Sequence, residues 1–142
     1  MDAAAESAGA TVSTISLTNV TSLTGPAIDL LAVFAAGASG HITNIASNVG
    51  VTIDESGTGD GSVSVHDANL IDSYTTGAIT GTILETDITT LSTLNSDSDN
   101  ANAYTITVTG NADAGDLVTL ETKTSVKVDM TGLSTVTGTL AE

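Results

Sequence analysis

The chain has 142 residues, of which 40% are hydrophobic but only 2% aromatic, and its formal net charge is −15. Two basic residues against 17 acidic ones exclude a basic face for nucleic acid and disfavour anionic membranes, and the lack of cysteine excludes disulfides and thiol chemistry. These features predict a single domain with an aliphatic core and an acidic surface that stays soluble at high ionic strength.

Short segments with β-branched residues at alternate positions are predicted to form strands. In chain order they cover residues 12–17, 41–45, 51–53, 63–65, 79–83, 104–108 and 126–130. Small and polar residues separate these segments, so each predicted strand is brief.

Helical segments alternate with the predicted strands. The first follows Pro26, a residue favoured at the first helical position. Asp67 and Asp113 are predicted N-caps of the second and fourth helices, because a carboxylate at that position accepts hydrogen bonds from free backbone N–H groups. The third is a helical turn within residues 86–94, where apolar residues recur at every third position.

The helix-to-strand joints align with one another. Leu70 precedes Ile79 by nine residues, and Leu117 precedes Val126 by the same interval. Loops of variable length separate the copies, a pattern that is typical of a solenoid.

Two phrases near the ends of the chain are also alike. ISLTNVTSLTG at residues 15–25 corresponds to DMTGLSTVTG at residues 129–138. The matched apolar pairs, each 113 residues apart, are Leu17 with Met130, Val20 with Leu133 and Leu23 with Val136. The third-residue spacing within each phrase predicts one apolar edge per tight turn.

The fold predicted from these patterns is an α/β repeat solenoid in which short parallel strands stack and alternate with short helical turns. An all-β sandwich is the alternative, and the helical segments count against it. Residues 1–10 are predicted to be an N-terminal tail, and residues 11–142 a single solenoid-like domain with insertions at 54–62 and 94–102.

The acidic insertions contain the candidate metal ligands, which suit calcium because that ion prefers oxygen donors. They are Asp54, Glu55 and Asp60 in DESGTGDG, and Asp97 and Asp99 in NSDSDNAN. Neither loop has the acidic residue that an EF-hand requires at its twelfth position, where Val65 and Ile106 stand instead. Solvated loops without metal are the alternative interpretation.

No motif predicts catalysis. His41 and His66 are the imidazoles of the chain, and no nucleophile elbow, zinc-binding histidine pair or phosphate-binding loop accompanies them. We therefore expect a protein that is not an enzyme. Lys123 and Lys127 are predicted to pair with carboxylates of a neighbouring repeat.

Three long phrases carry a resemblance: AIDLLAVFAAGASGHITNI, SVHDANLIDSYTTGAITGTI and AYTITVTGNADAGDLVTLETKTSVKVDMTGLSTVTGTLAE. They resemble the Thr/Ala/Asp-rich tandem repeats of very large bacterial surface and secreted proteins, notably those of marine cyanobacteria. The resemblance covers most of residues 11–142. It implies a non-catalytic array at a cell or particle surface, sometimes beside calcium-binding repeats, and it implies no catalytic residues.

The leading functional prediction is a structural or adhesive repeat segment of a cell-surface or extracellular fibre-like protein. Its expected partners are neighbouring repeats or identical chains, with neither nucleic acid nor membrane insertion. A phage virion component, such as a fibre or capsid decoration, is one alternative, suggested by Met1 and by residues 1–10, which lack the features of a secretory signal. A calcium-dependent binding module is the other.

Overall fold

The computed structural model describes residues 13–57, 61–95 and 102–138. Within these ranges the strands are β1 (Ile15–Ser16), β2 (Ser22–Gly25), β3 (Ile42–Thr43), β4 (Gly50–Ile53), β5 (Ile79–Thr82), β6 (Ala103–Thr105), β7 (Thr107–Asp113) and β8 (Asp129–Thr137). The helices are α1 (Ala27–Ala38), α2 (Val65–Asp72), α3 (Ile88–Leu91) and α4 (Ala114–Glu121). The predicted tail at residues 1–10 lies outside the described residues, as do parts of both predicted insertions.

The named strands pair in parallel in three sheets, ordered β1-β3, β2-β4-β5-β6 and β7-β8. Parallel neighbours need a crossover connection, and the helices provide it, since α1 lies between β2 and β4 and α2 between β4 and β5. The prediction of short parallel strands alternating with helices is therefore confirmed. The all-β sandwich is wrong, because helices lie between the strands it would have paired directly.

The first two pairing registers advance by the same step. Leu23 lies opposite Val51, and Val51 lies opposite Ile79, so each step is 28 residues. The next step is shorter, with Thr80 opposite Ala103. We refer below to four strand–helix units, residues 22–38, 50–72, 79–91 and 103–121.

The core lies between these strands and the helices and is almost entirely aliphatic. Its largest fully buried side chains include Ile71, Ile79, Leu91 and Leu120, together with the ring of Tyr104. Burying an aliphatic side chain of this size stabilises the fold by roughly 1.5–3 kcal/mol. Close packing at the joints uses glycine: a Cβ on Gly77 would lie 2.4 Å from the carbonyl oxygen of Val49.

The predicted alignment of the joints is only partly correct, because Ile79 and Leu117 are buried but Leu70 and Val126 are not. Leu70 and Val126 are 38% and 36% exposed, whereas Ile71 and Val128 are buried. The equivalent core residues of the second and fourth units are Ile71 and Leu120, which lie 49 rather than 47 residues apart. Because Leu70 and Ile71 are adjacent and both apolar, the sequence alone does not show which of them lies in the core.

Two of the predicted helix starts also need correction. Pro26 occupies the N-cap of α1 rather than its first helical position. Ser64, not Asp67, is the N-cap of α2: its Oγ accepts the N–H of Asp67 at 3.1 Å and donates to the Asp67 carboxylate at 2.9 Å. Because α2 begins at Val65, residues 63–65 do not form the predicted strand, and Val63 makes only an isolated bridge to Ile83.

The other helix starts agree with the prediction. Asp113 caps α4 by accepting the N–H of Gly115 at 2.8 Å. The turn within residues 86–94 is α3, and its apolar residues Ile88, Leu91 and Leu94 are all buried.

Candidate functional site: cross-unit contacts and end strands

Two glutamates cap helices of the preceding unit. The Glu55 carboxylate accepts the N–H of Ala27 at 2.7 Å, and the Glu85 carboxylate accepts the N–H of Val65 at 2.9 Å. The first N–H groups of a helix have no partner within the helix and form its positive end, so a carboxylate is favoured there. These bonds link the first unit to the second and the second to the third.

The predicted calcium ligands are divided by this arrangement. Glu55 faces the start of α1, whereas Asp54 is exposed and accepts the N–H of Ser56 at 3.0 Å. The Ser56 side chain and backbone bond to the Asp54 carboxylate and lower its pKa. Asp60, Asp97 and Asp99 lie outside the described residues. Across residues 13–57, 61–95 and 102–138, no three His, Cys, Asp or Glu side chains are grouped to hold a metal ion, and the calcium hypothesis stays a prediction.

Lys123 is buried and connects the fourth unit to the third. Its ammonium donates to the carbonyl oxygens of Ser92, at 2.7 Å, and of Leu94, just beyond the end of α3. Burial lowers the pKa of this amine, because a charged group is less well solvated there. Among the described residues, these backbone carbonyl groups bind the Lys123 ammonium, and the predicted pairing with a carboxylate stays a prediction.

A buried asparagine joins the second, third and fourth units. Asn102 Oδ1 accepts the N–H of Ile79 at 2.8 Å. The side-chain oxygen therefore takes the role that a backbone carbonyl has elsewhere in the sheet. Its amide nitrogen donates to Asp72 at the end of α2 at 3.0 Å. Asn95 donates to the same carboxylate, also at 3.0 Å.

The two histidines are exposed and are placed apart on different elements. His66 lies on α2, and His41 lies just before β3, where its Nδ1 is 2.7 Å from Ser39 Oγ. The expectation of a protein that is not an enzyme stays a prediction.

Two open grooves lie on the surface of the described residues. One, of about 530 Å³, borders the end of α1 and includes Phe34 and Tyr74, whose rings stack with centroids 5.1 Å apart. The other, of about 540 Å³, lies beside the start of β8 and includes Lys127, Val128 and Met130.

The two similar phrases of the sequence form the two ends of the described strand order. Residues 15–25 contain β1 and β2, and residues 129–138 contain β8 and the residue after it. The glycines that close the phrases share a positive φ, +157° at Gly25 and +149° at Gly138. The predicted correspondence between the phrases therefore extends to their backbone conformation at this position.

The comparisons with known proteins give no relative: no protein-family model, curated protein or solved structure matches the chain. None of the described helices is long and apolar enough to cross a membrane.

Proposed function

We propose that the chain is a non-catalytic structural segment, a solenoid of stacked strand–helix units that belongs to a bacterial cell-surface or secreted fibre-like protein. The observation that carries the proposal is the register Leu23–Val51–Ile79, in which each residue lies beside its counterpart 28 positions along the chain. A strand–helix unit of this size cannot bury its own apolar face, so neighbouring units must do so.

The use of the polar side chains supports a structural role. Glu55, Glu85, Asn102 and Lys123 all bind backbone groups of another unit. A catalytic or ligand-binding site needs polar groups that point at a shared space, whereas these groups hold units together.

The composition supports an exposed location. A net charge of −15 keeps a surface hydrated and chains apart, and salt screening reduces the self-repulsion in a saline medium. The resemblance to repeats of large bacterial surface and secreted proteins agrees with this environment.

Deleting one unit tests the solenoid. Removal of residues 51–78 joins Gly50 to Ile79 and places Ile79 opposite Leu23 in the position that Val51 held. We expect the shortened chain to unfold in one cooperative transition, with native-like circular dichroism. Removal of residues 51–64 alone is the control, because it shifts the register by half a step and should abolish folding. Equal loss of structure in both variants would contradict the solenoid.

The location is tested separately. Antibodies raised against the recombinant chain should label the outside of intact producing cells or their secreted fibres. Labelling confined to virions would favour a virion component instead, and labelling confined to the cytoplasm would contradict both.

A further inference from the structure

The strands at the two ends of the described order are open edges in which the only charged residue is Asp129, at the start of β8. Among the described residues β2 pairs only with β4, and β8 pairs only with β7. Residues 13–25 and 130–138 contain no charged side chain, although the net charge of the chain is −15. Edge strands usually carry charges that prevent pairing with another chain, so these two edges are suited to accept a strand.

The apolar side chains of both edges are covered on one side only. Val20 and Leu23 at one end, and Met130 and Leu133 at the other, pack against the core but remain partly exposed. Val51, the partner of Leu23 in the next strand, is covered on both sides and is buried. Another strand of the same kind would complete each edge as β4 completes β2.

We propose that a second copy of this chain supplies that strand, so that β8 of one copy pairs in parallel with the β1–β2 segment of the next. The register is given by the repeated phrase. It places Met130 opposite Leu17, Leu133 opposite Val20, and Val136 opposite Leu23 of the second copy. The inference rests on the proposed function, because it extends the same stacking beyond one chain.

The groove beside β8 agrees with this register. In the docked pair the groove wall formed by Val128 and Met130 faces residues 15 and 17 of the second copy. Ile15 is 60% exposed in the single chain and would be covered there. Because the contact joins two different ends, each pair leaves one end of each kind free, and assembly continues head to tail.

Charge sets the conditions under which the copies associate. Each copy carries a net charge of −15, and this repulsion opposes association. Raising the ionic strength from about 0.1 M to about 1 M shortens the screening length from about 10 Å to about 3 Å. We therefore expect association to strengthen with salt, as measured by sedimentation over a concentration series.

Three substitutions of exposed aliphatic residues by glutamate locate the contact. Val136→Glu blocks the β8 end and Ile15→Glu blocks the other end, where it faces Asp129 and Glu121 of the groove. Val118→Glu is the matched control, since Val118 is 69% exposed and lies on α4 rather than in either edge strand. V136E and I15E should each weaken self-association at least about tenfold, a loss of about 1.4 kcal/mol, whereas V118E behaves as the wild type. Circular dichroism checks folding, and Thr135→Glu replaces V136E should V136E fail to fold.

Mixing the two blocked variants gives the decisive result. Each retains one intact end, so V136E and I15E together should form a one-to-one dimer and nothing larger. A wild type that stays monomeric at high salt and concentration, an equal effect of V118E, or the absence of the mixed dimer would overturn the proposal. If the wild type stays monomeric but the variant that lacks residues 51–78 still folds, the proposed function stands and only the docking between copies is contradicted.

Discussion

Thr75 and Thr124, 49 residues apart, make the same pair of hydrogen bonds. Each buried hydroxyl donates to a backbone carbonyl earlier in the chain. Thr75 donates to Val49 at 2.6 Å, and Thr124 donates to Tyr104 at 2.7 Å. Each also accepts the N–H of the residue two positions on, from Gly77 at 2.9 Å and Val126 at 3.2 Å. The repeated bonding fixes the chain where it leaves a helix and enters the next strand.

Replacing either threonine by valine should therefore destabilise the fold. Thr75→Val and Thr124→Val keep the shape but leave a buried carbonyl and N–H without this partner, which costs about 1–3 kcal/mol of unfolding free energy. Urea denaturation measures the loss. Thr52→Val, at an exposed position of β4, is the control and should change the unfolding free energy by less than about 0.5 kcal/mol. Losses no larger than that of T52V would show that these hydroxyls do not hold the joints.

Much of this architecture was predictable from local patterns. The alternation of strands and helices, the Asp113 cap and the burial of Ile88, Leu91 and Leu94 all follow from residue periodicity and capping preferences. These features depend on residues close together in the sequence, where the pattern and its structural cause coincide.

The contacts between units were not predictable in the same way. Glu55 reaches Ala27 across 28 residues, and Lys123 reaches Ser92 across 31. An acidic loop residue has the same local sequence whether it binds calcium, solvent or a helix end, so periodicity cannot choose between them. The choice between Leu70 and Ile71 for the core failed for a related reason, because both are apolar and only packing separates them.

The buried ammonium of Lys123 should make stability depend on alkaline pH. Its pKa in the folded chain is lowered by burial from the ordinary value of 10.5. Between these two values the unfolded chain binds more protons than the folded chain, so the unfolding free energy rises with pH. Lys123→Met lacks this contribution. The stability of the wild type relative to K123M should therefore increase as the pH approaches 10.5, as measured by urea denaturation at successive pH values.

The exposed Lys127 supplies the control for this titration. Lys127→Met removes the same charge from an exposed position, so a change in pH dependence that appears in K123M and not in K127M belongs to the buried amine. Parallel curves for K123M and the wild type would contradict the role given to the buried amine.

The glutamate caps predict a loss of stability in two separate variants. Glu55→Ala and Glu85→Ala each remove the acceptor from the first N–H of a helix, which typically costs about 0.5–2 kcal/mol of unfolding free energy. Glu121→Ala is the control, because Glu121 lies at the negative end of α4, where removal of an acidic group is neutral or slightly stabilising. A loss in E121A equal to that in E55A would point to net charge rather than capping.

Calcium binding by the acidic loops predicts a selective effect on thermal stability. A ligand that binds only the folded state raises the unfolding free energy, by about 2.7 kcal/mol when its concentration is 100 times Kd. The melting temperature should then rise with calcium, fall with a chelator, and respond less to magnesium, which fits such flexible oxygen sites poorly. Asp54→Asn should reduce the response of the first loop. Equal effects of calcium and magnesium would contradict a specific site and indicate charge screening.

At Gly77 we expect the addition of a single methyl group to lower the stability of the fold more than at any other described glycine. A Cβ at this position would lie 2.4 Å from the Val49 carbonyl oxygen and 2.5 Å from that of Asn48, so the backbone must move to admit it. Because the obstruction is backbone and not a flexible side chain, Gly77→Ala should lower the unfolding free energy by about 1–3 kcal/mol or more. Gly57→Ala is the matched control, since a Cβ there meets nothing within 4 Å and should leave stability nearly unchanged. Equal stability of G77A and G57A in urea denaturation would show that the linker after the second unit does not pack as closely against the linker after the first as these distances indicate.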